Sequence, residues 1–142
     1  MAINKHEKHN LGQVVISANH PNKPEPREID VALVLANHYG TTVEFIAPID
    51  DYRRKSADIK MFGVEWEIKC PIGKSKSTIR NQFRRASKQS KNIIIDARRT
   101  KLVYEYVEKE VLLQIRERPY IKKVVIIDKS EKVLEMHVQD ML

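Results

Sequence analysis

Three residues in the middle of the chain have the types and the spacing that suit metal-assisted cleavage of a phosphodiester bond. Eight residues separate Asp58 from Glu67, and Lys69 follows two positions later. Two carboxylates can hold a Mg²⁺-like ion, which prefers hard oxygen ligands and usually keeps several waters. A lysine beside them can orient the attacking water or stabilise the charge that builds on the phosphate. The set therefore predicts a metal-dependent phosphodiesterase centre.

The surrounding sequence, residues 56–69, predicts a β-hairpin that would position these side chains. Phe62-Gly63 forms the tight turn between its two short strands. Because strand side chains alternate, Glu67 and Lys69 share one face of the second strand, and in a hairpin Asp58 can lie across from that end. The same alternation is typical of a solvated edge of an antiparallel sheet, so spacing alone leaves both interpretations open.

The net charge of +7 is distributed unevenly along the chain. Residues 69–101 contain eleven basic residues and one acidic residue, a net charge of +10. The rest of the chain carries 15 basic and 18 acidic residues, a net charge of −3. A basic segment that begins at the proposed centre is what a polyanion-binding face requires, although a solvated basic helix would give the same count.

Residues 77–89, within the basic segment, predict an amphipathic helix. Arg80, Arg84 and Lys88 recur at helical spacing and form a stripe that would face phosphate. A polar line beside that stripe includes Gln82 and Gln89, which could support the catalytic face; Gln89 could equally cap the helix or hydrogen-bond locally. The predicted nucleic-acid contacts are Lys74, Lys76, Arg80, Arg84, Arg85 and Lys88.

The remaining elements predict an α/β fold. A helix over residues 27–39 has Pro26 at its entry and Gly40 at its stop, and Glu28 in its first turn either complements the helix dipole or has a functional role. Further elements are predicted as strands over 42–47 and 92–95, a helix over 101–117 and a hairpin over 121–138. The order, αβββαβ with an added helix and a C-terminal hairpin, predicts a mixed central sheet flanked by helices.

The length of 142 residues suits one domain, which we place at residues 27–142 after a flexible lead or linker remnant over residues 1–26 with at most one short strand. Cys70 is the only cysteine, so no intramolecular disulfide is possible. No apolar run approaches the ~20 residues of a membrane span. The histidines of the lead have spacings that match no zinc pattern. We expect a soluble monomer.

The element order resembles that of the PD-(D/E)XK nuclease superfamily, with an acid on the first helix, Asp58 opening the second core strand, and Glu67 and Lys69 on the third. The proline that often precedes the first aspartate there is replaced by Ala57. More narrowly, four segments resemble the C-terminal tRNase toxin domain of CdiA-type contact-dependent growth inhibition effectors and related phage and mobile-element proteins. These segments are Ser56-Ala57-Asp58, Val64-Glu65-Trp66-Glu67-Ile68-Lys69, Lys88-Gln89-Ser90 and Asn92-Ile93-Ile94-Ile95-Asp96.

The resemblance implies a role for each matching position. Asp58 and Glu67 resemble metal ligands, Lys69 resembles the catalytic lysine, and Glu28 resembles the helix carboxylate that completes such sites directly or through water. It also implies a toxin that cuts tRNA with Mg²⁺ or Mn²⁺ rather than Zn²⁺. Delivery by a secreted or cell-surface effector would bring this toxin into the cytoplasm of a target bacterium, and an immunity protein would protect the producer. The residues alone also allow a DNase of the same fold or a non-catalytic nucleic-acid-binding module.

Overall fold

The computed structural model describes residues 12–16, 24–47 and 57–137. Contacts divide the chain into two compact units, Met1–Glu65 and Trp66–Leu142. The histidines at positions 6, 9 and 20 and most of the predicted lead lie outside the described residues. In the described ranges, no helix is both long and apolar enough to cross a membrane.

The elements follow the predicted order, with one short strand before them. The strands are β1 (Gln13–Ile16), β2 (Thr42–Phe45), β3 (Ile59–Met61), β4 (Val64–Lys69), β5 (Asn92–Asp96), β6 (Lys123–Ile127) and β7 (Val133–His137), and the helices are α1 (Pro26–Tyr39), α2 (Ser77–Ala86) and α3 (Tyr104–Glu117). The α/β fold class and the αβββαβ order with an added helix and hairpin are confirmed. Strand β1 is the short strand expected within the lead.

The first unit holds α1 and a mixed set of strands. Strand β1 pairs with β2 in parallel, and β2 pairs with β3 in the antiparallel sense. Helix α1 begins with Pro26, whose fixed φ suits the first helical position, and ends at Gly40, which adopts a left-handed φ of 61°. Its buried side chains are Val31, Ala32, Leu35 and Ala36.

Two backbone features lie near the ends of the described part of this unit. At the start, Gly12 passes so close to the end of α1 that a Cβ there would collide with the carbonyl oxygens of Ala36 and Thr41. At the other end, Phe62 and Gly63 have φ values of 58° and 74°, the left-handed pair that a two-residue hairpin turn requires. Phe62 packs edge-on against Tyr39 with ring centroids 5.3 Å apart. The tight turn predicted at Phe62-Gly63 is thus confirmed.

The second unit is built around strands that are covered on both faces. Strands β4, β5 and β6 run parallel, and β7 completes the predicted C-terminal hairpin with β6. All five residues of β5 are buried, as the uninterrupted apolar run of residues 92–95 predicted. Helices α2 and α3 pack on one face of this sheet. The shared core consists of Ile79, Phe83, Ala86, Ile93, Ile95, Ala97, Leu102, Val107, Val111, Ile115, Ile121, Val124 and Ile126.

Helix α3 begins three residues later than predicted because the preceding chain is held in a loop. The Thr100 hydroxyl donates to the carbonyl of Gly73 at 3.0 Å and accepts from the Leu102 N–H at 3.2 Å. The Lys101 N–H also donates to the Gly73 carbonyl, at 2.6 Å. These bonds tie residues 100–102 to a neighbouring loop, so the first helical hydrogen bonds form only after Val103.

Candidate active site

Strand β4 carries a buried carboxylate with two polar partners. Glu67 is only 3 % exposed, and its Oε2 lies 3.3 Å from the Lys69 Nζ. With the Gln89 amide nitrogen directed toward this carboxylate, it lies 3.1 Å from both Oε1 and Oε2. Three of the predicted site residues are therefore brought into direct contact within the second unit.

The burial of Glu67 decides between the two interpretations of the alternating strand. Trp66 and Ile68 on the opposite face are 3 % and 5 % exposed, so both faces of β4 are covered at this point. Strand β4 also pairs with β5, with Glu67 in register with Ile93. A solvated strand face is therefore the wrong description of Glu67. A buried carboxylate needs hydrogen-bond donors or a cation, since burying an unpaired charge is costly.

Glu28 and Asp58 form a second acidic pair, within the first unit. Both side chains are half-buried. The Glu28 Oε1 accepts a hydrogen bond from the Glu25 N–H at 3.0 Å, so this residue also caps α1. Burial raises the pKa of the Glu28 carboxyl above its ordinary value of 4.5, and the negative charge of Asp58 raises it further. Asp58 lies one residue before β3 and its carbonyl accepts from the Ile46 N–H at 3.0 Å.

The donor chemistry of these carboxylates fits a hard divalent cation. In the described segments, no group of three or more His, Cys, Asp or Glu side chains is arranged to hold a metal ion. Mg²⁺ is commonly held by one or two carboxylates and several waters, with substrate phosphate adding ligands. The half-buried Glu28 and Asp58 pair, whose mutual repulsion a cation would relieve, matches that mode. The buried oxygens of Glu67 provide the same kind of donor.

The predicted nucleic-acid contacts fall into two groups. Arg80 pairs with Glu110 of α3, with its Nε 3.2 Å from the Oε1, and Glu110 is itself buried. The other five side chains are exposed and have no acidic partner among the described residues: Lys74, Lys76, Arg84, Arg85 and Lys88. Lys76 lies over the ring of Tyr106, with its Nζ 5.7 Å from the centroid. The structure therefore gives Arg80 a packing role that its position in the stripe did not predict.

Two further arginines of the basic segment are also neutralised internally. Asp96, fully buried at the end of β5, accepts from the Arg98 Nε at 2.8 Å and from the Arg98 Nη2 at 3.0 Å. Arg99 donates to the same carboxylate at 3.2 Å. Charge counting from sequence missed this pairing because it treats every cation as free. The sequence signal that could have indicated this pairing is Asp96, the one acid of the basic segment, followed within three residues by Arg98 and Arg99.

Gln82 and Gln89 differ in their contacts. Gln89 was expected either to support the catalytic face or to cap the helix. It contacts Glu67, and it does so from a turn after α2 rather than from the continuous helix that was predicted to Gln89. Gln82 lies on α2, and its Oε1 is buried without a hydrogen-bond partner among the described residues. The two residues were expected as supporting polar groups, and among the described residues the contact with a predicted catalytic residue is made by Gln89.

Comparison with known proteins assigns the chain to a family. The family model described as "Contact-dependent growth inhibition CdiA C-terminal domain" matches residues 55–133, more than half of the chain. The chain belongs to this family. It is therefore a CdiA C-terminal toxin domain of contact-dependent growth inhibition. The matched range includes Asp58, Glu67, Lys69 and Gln89, whereas Glu28 precedes it.

A solved structure shows the same fold. It is a "CdiA-CT/CdiI toxin and immunity complex from Burkholderia pseudomallei", with a TM-score of 0.58 and 19 % sequence identity. The alignment covers 87 % of this CdiA C-terminal domain and 98 % of that chain. At this identity the likeness establishes the fold alone. A comparison with curated proteins found no match.

Proposed function

We propose that this CdiA C-terminal domain is a metal-dependent ribonuclease that cleaves tRNA. The observation that carries the proposal is the buried Glu67 carboxylate held beside Lys69 and Gln89. Burying a carboxylate is costly unless it is paired and hydrogen-bonded, so a buried Glu67 held by a lysine of the same strand and by an amide is a candidate functional group. The Glu28 and Asp58 pair, in which the charge of Asp58 helps to raise the pKa of the Glu28 carboxyl beyond the effect of burial, adds a second feature.

The proposed centre unites Glu28, Asp58, Glu67 and Lys69. The PD-(D/E)XK resemblance supports this grouping, because Asp58 and Glu67 resemble its metal ligands, Lys69 its catalytic lysine and Glu28 its helix carboxylate.

Glu28, Asp58 and Glu67 would hold Mg²⁺ or Mn²⁺, and Zn²⁺ suits these oxygen donors less well. Such an ion, when bound, lowers the pKa of a coordinated water and neutralises phosphoryl oxygens. The protein's own contribution is to position the nucleophile and the phosphate. Lys69 orients the attacking water or donates to the phosphate as negative charge develops there. The exposed cations Lys74, Lys76, Arg84, Arg85 and Lys88 bind the backbone of the nucleic acid, and Arg80 contributes through its exposed portion.

The choice of RNA over DNA rests on the tRNase likeness and on the shape of the substrate. RNA presents unpaired ends and 2′-hydroxyls, which a broad basic face can engage. The alternative is a DNase with the same residues, because metal-assisted attack does not require a 2′-hydroxyl. Purified domain incubated with Mg²⁺ or Mn²⁺ and either total tRNA or plasmid DNA separates the two. Intact tRNA beside degraded plasmid would exclude the tRNase proposal.

A non-catalytic nucleic-acid-binding module is the second alternative, and carboxylate variants distinguish it. Asp58→Ala and Glu67→Gln should reduce tRNA cleavage by roughly 100-fold or more and remove toxicity, while leaving tRNA binding in EDTA intact. Glu65→Gln is the matched control because it removes the same charge from an exposed position two residues away on β4. Unchanged toxicity in both Asp58→Ala and Glu67→Gln would show that these carboxylates are not the site.

The family membership supports a cellular location for the proposed activity. CdiA C-terminal domains reach target cells through a cell-surface effector, and we propose that this domain acts on tRNA in the target cytoplasm. The similar fold was solved in a complex with an immunity protein, which supports a cognate immunity protein here. We propose that the domain acts as a monomer when that partner is absent.

A further inference from the structure

Gln89 contacts Glu67 from the turn that follows α2. The sequence pattern predicts a helix to residue 89, so α2 ends three residues earlier than predicted. The helix ends at Ala86, and the N–H groups of Lys88 and Gln89 donate to carbonyls only three residues back, at 3.1 and 2.9 Å. The Ser87 hydroxyl adds a bond to the Arg84 carbonyl at 2.8 Å. Gln89 lies in this tightened turn, and its amide nitrogen lies equally near both oxygens of Glu67.

Lys69 and Gln89, two of the groups that contact Glu67, would respond differently to an arriving cation. Lys69 carries a full positive charge 3.3 Å from the Oε2, so a divalent ion on Glu67 would repel it. The Gln89 amide has no net charge and keeps its hydrogen bond under the same conditions. Since each carboxylate oxygen has two lone pairs, the amide and a metal can share the group.

We propose that Gln89 is a positioning residue that would hold the Glu67 carboxylate in place when a divalent cation binds there and Lys69 moves aside. Lys69 would then be able to act on the water or the phosphate, while the Gln89 amide would keep the orientation of the carboxylate. The inference rests on the proposed function only in taking Glu67 as a metal ligand. Hydrogen-bond partners of ligands commonly set ligand orientation in this way.

Gln89→Met tests the proposal because it removes the donor and keeps the length of the side chain. Mn²⁺ affinity is measured by calorimetry without nucleic acid, and cleavage of total tRNA is measured in single turnover at saturating Mn²⁺. We expect a decrease of roughly 10- to 100-fold in Mn²⁺ affinity, in the cleavage rate or in both. The tRNA dissociation constant in EDTA should stay unchanged.

Lys88→Met is the matched comparison, since it alters the exposed neighbour in the same turn. It should weaken tRNA binding in EDTA and leave Mn²⁺ affinity as it is, the reverse of the Gln89→Met pattern. Wild-type Mn²⁺ affinity together with a wild-type cleavage rate in Gln89→Met would overturn the proposal. Should that variant fail to fold, as judged by its melting temperature, Gln89→Asn takes its place, because its amide is one methylene too short to make the contact.

The two proposals fail in different ways. If the wild-type domain binds Mn²⁺ but leaves tRNA intact, the tRNase proposal is wrong, and the Gln89 effect is still read from Mn²⁺ affinity. If the domain does not bind Mn²⁺ at all, Glu67 is not a metal ligand and the role given to Gln89 is excluded with it.

Discussion

Glu28 combines a structural contact with an electrostatic cost. Its Oε1 caps α1, while burial and the charge of Asp58 raise the pKa of its carboxyl above 4.5. Between that ordinary value and the raised native value, the folded protein binds more protons than the unfolded chain. The stability that this group contributes is therefore greatest at low pH and is lost as pH rises through the native pKa.

Glu28→Gln should remove this pH dependence, because a glutamine keeps the accepting oxygen and cannot ionise. In EDTA, the melting temperature of the variant relative to the wild type should increase from about pH 4 to pH 8. Adding Mn²⁺ should favour the wild type again, since a bound cation stabilises the ionised carboxylate. If the difference in melting temperature between the variant and the wild type stays constant from about pH 4 to pH 8, the pKa of Glu28 is not raised in the folded domain.

At this scale the candidate side chains were predictable from the sequence, whereas their surroundings were not. The types and spacing of Asp58, Glu67 and Lys69 were sufficient to predict which of them share a strand face. The burial of Glu67 was not predictable, because it depends on the pairing of β4 with β5 and on the turn that carries Gln89, both set by distant parts of the chain.

The arginines of α2 differ in their contacts. Arg80 faces α3 and donates to Glu110, which also accepts from the Gln114 amide at 3.2 Å. Arg84 and Arg85 are exposed one turn further along. Helical spacing placed Arg80 and Arg84 on one stripe, but a partner on another helix does not appear in that periodicity.

Arg80→Ala should therefore act mainly on stability. Removal of this donor leaves the buried Glu110 with fewer hydrogen bonds, which should cost about 1–2 kcal/mol in the free energy of unfolding. Urea denaturation measures the change. Arg84→Ala, which removes the same side chain from an exposed position, should stay within about 0.5 kcal/mol of the wild type. Equal destabilisation in both variants would contradict a specific role for the Glu110 contact.

The exposed cations should determine how tRNA binding depends on salt. Replacing Arg84, Arg85 and Lys88 together by alanine should lower the slope of log affinity against log salt by roughly 0.7 to 0.9 for each phosphate that the variant no longer neutralises. Binding is measured in EDTA so that cleavage does not interfere. Arg98 is fixed on the buried Asp96, so it should not contribute to this slope. A slope unchanged in the triple variant would place the nucleic acid elsewhere.

At the scale of the whole molecule, the order of the elements was predictable from the sequence. The residue at which the folded domain begins was harder to predict. Hydrophobic periodicity, Pro26, Gly40 and the Phe62-Gly63 turn are local signals, and each corresponds to an observed boundary. Strand β1 carries weak periodicity of its own and forms by pairing with β2. The division at residue 26 between a flexible lead and a nuclease domain stays a prediction.

Gly12→Ala tests whether the segment before residue 26 contributes to the folded domain. A Cβ at this position would meet two backbone carbonyl oxygens at the end of α1, which cannot move aside as a flexible side chain can. We expect a decrease of about 1–3 kcal/mol in the free energy of unfolding, comparable to other cases of overpacking. Gly63→Ala tests a different origin of destabilisation, because its positive φ makes it strained although open space surrounds it. An unchanged free energy of unfolding in Gly12→Ala would show that the segment is not held against α1.

The early end of α2 has an evolutionary consequence. The exposed cations of the helix and the amide that holds Glu67 lie within a few residues of each other, but they belong to separate structural parts: a regular helix and a tightened turn. Substitutions on the exposed face of the helix can accumulate without disturbing the turn. Toxins with this arrangement could therefore change the surface that meets a target or an inhibitor while keeping the proposed catalytic group around Glu67.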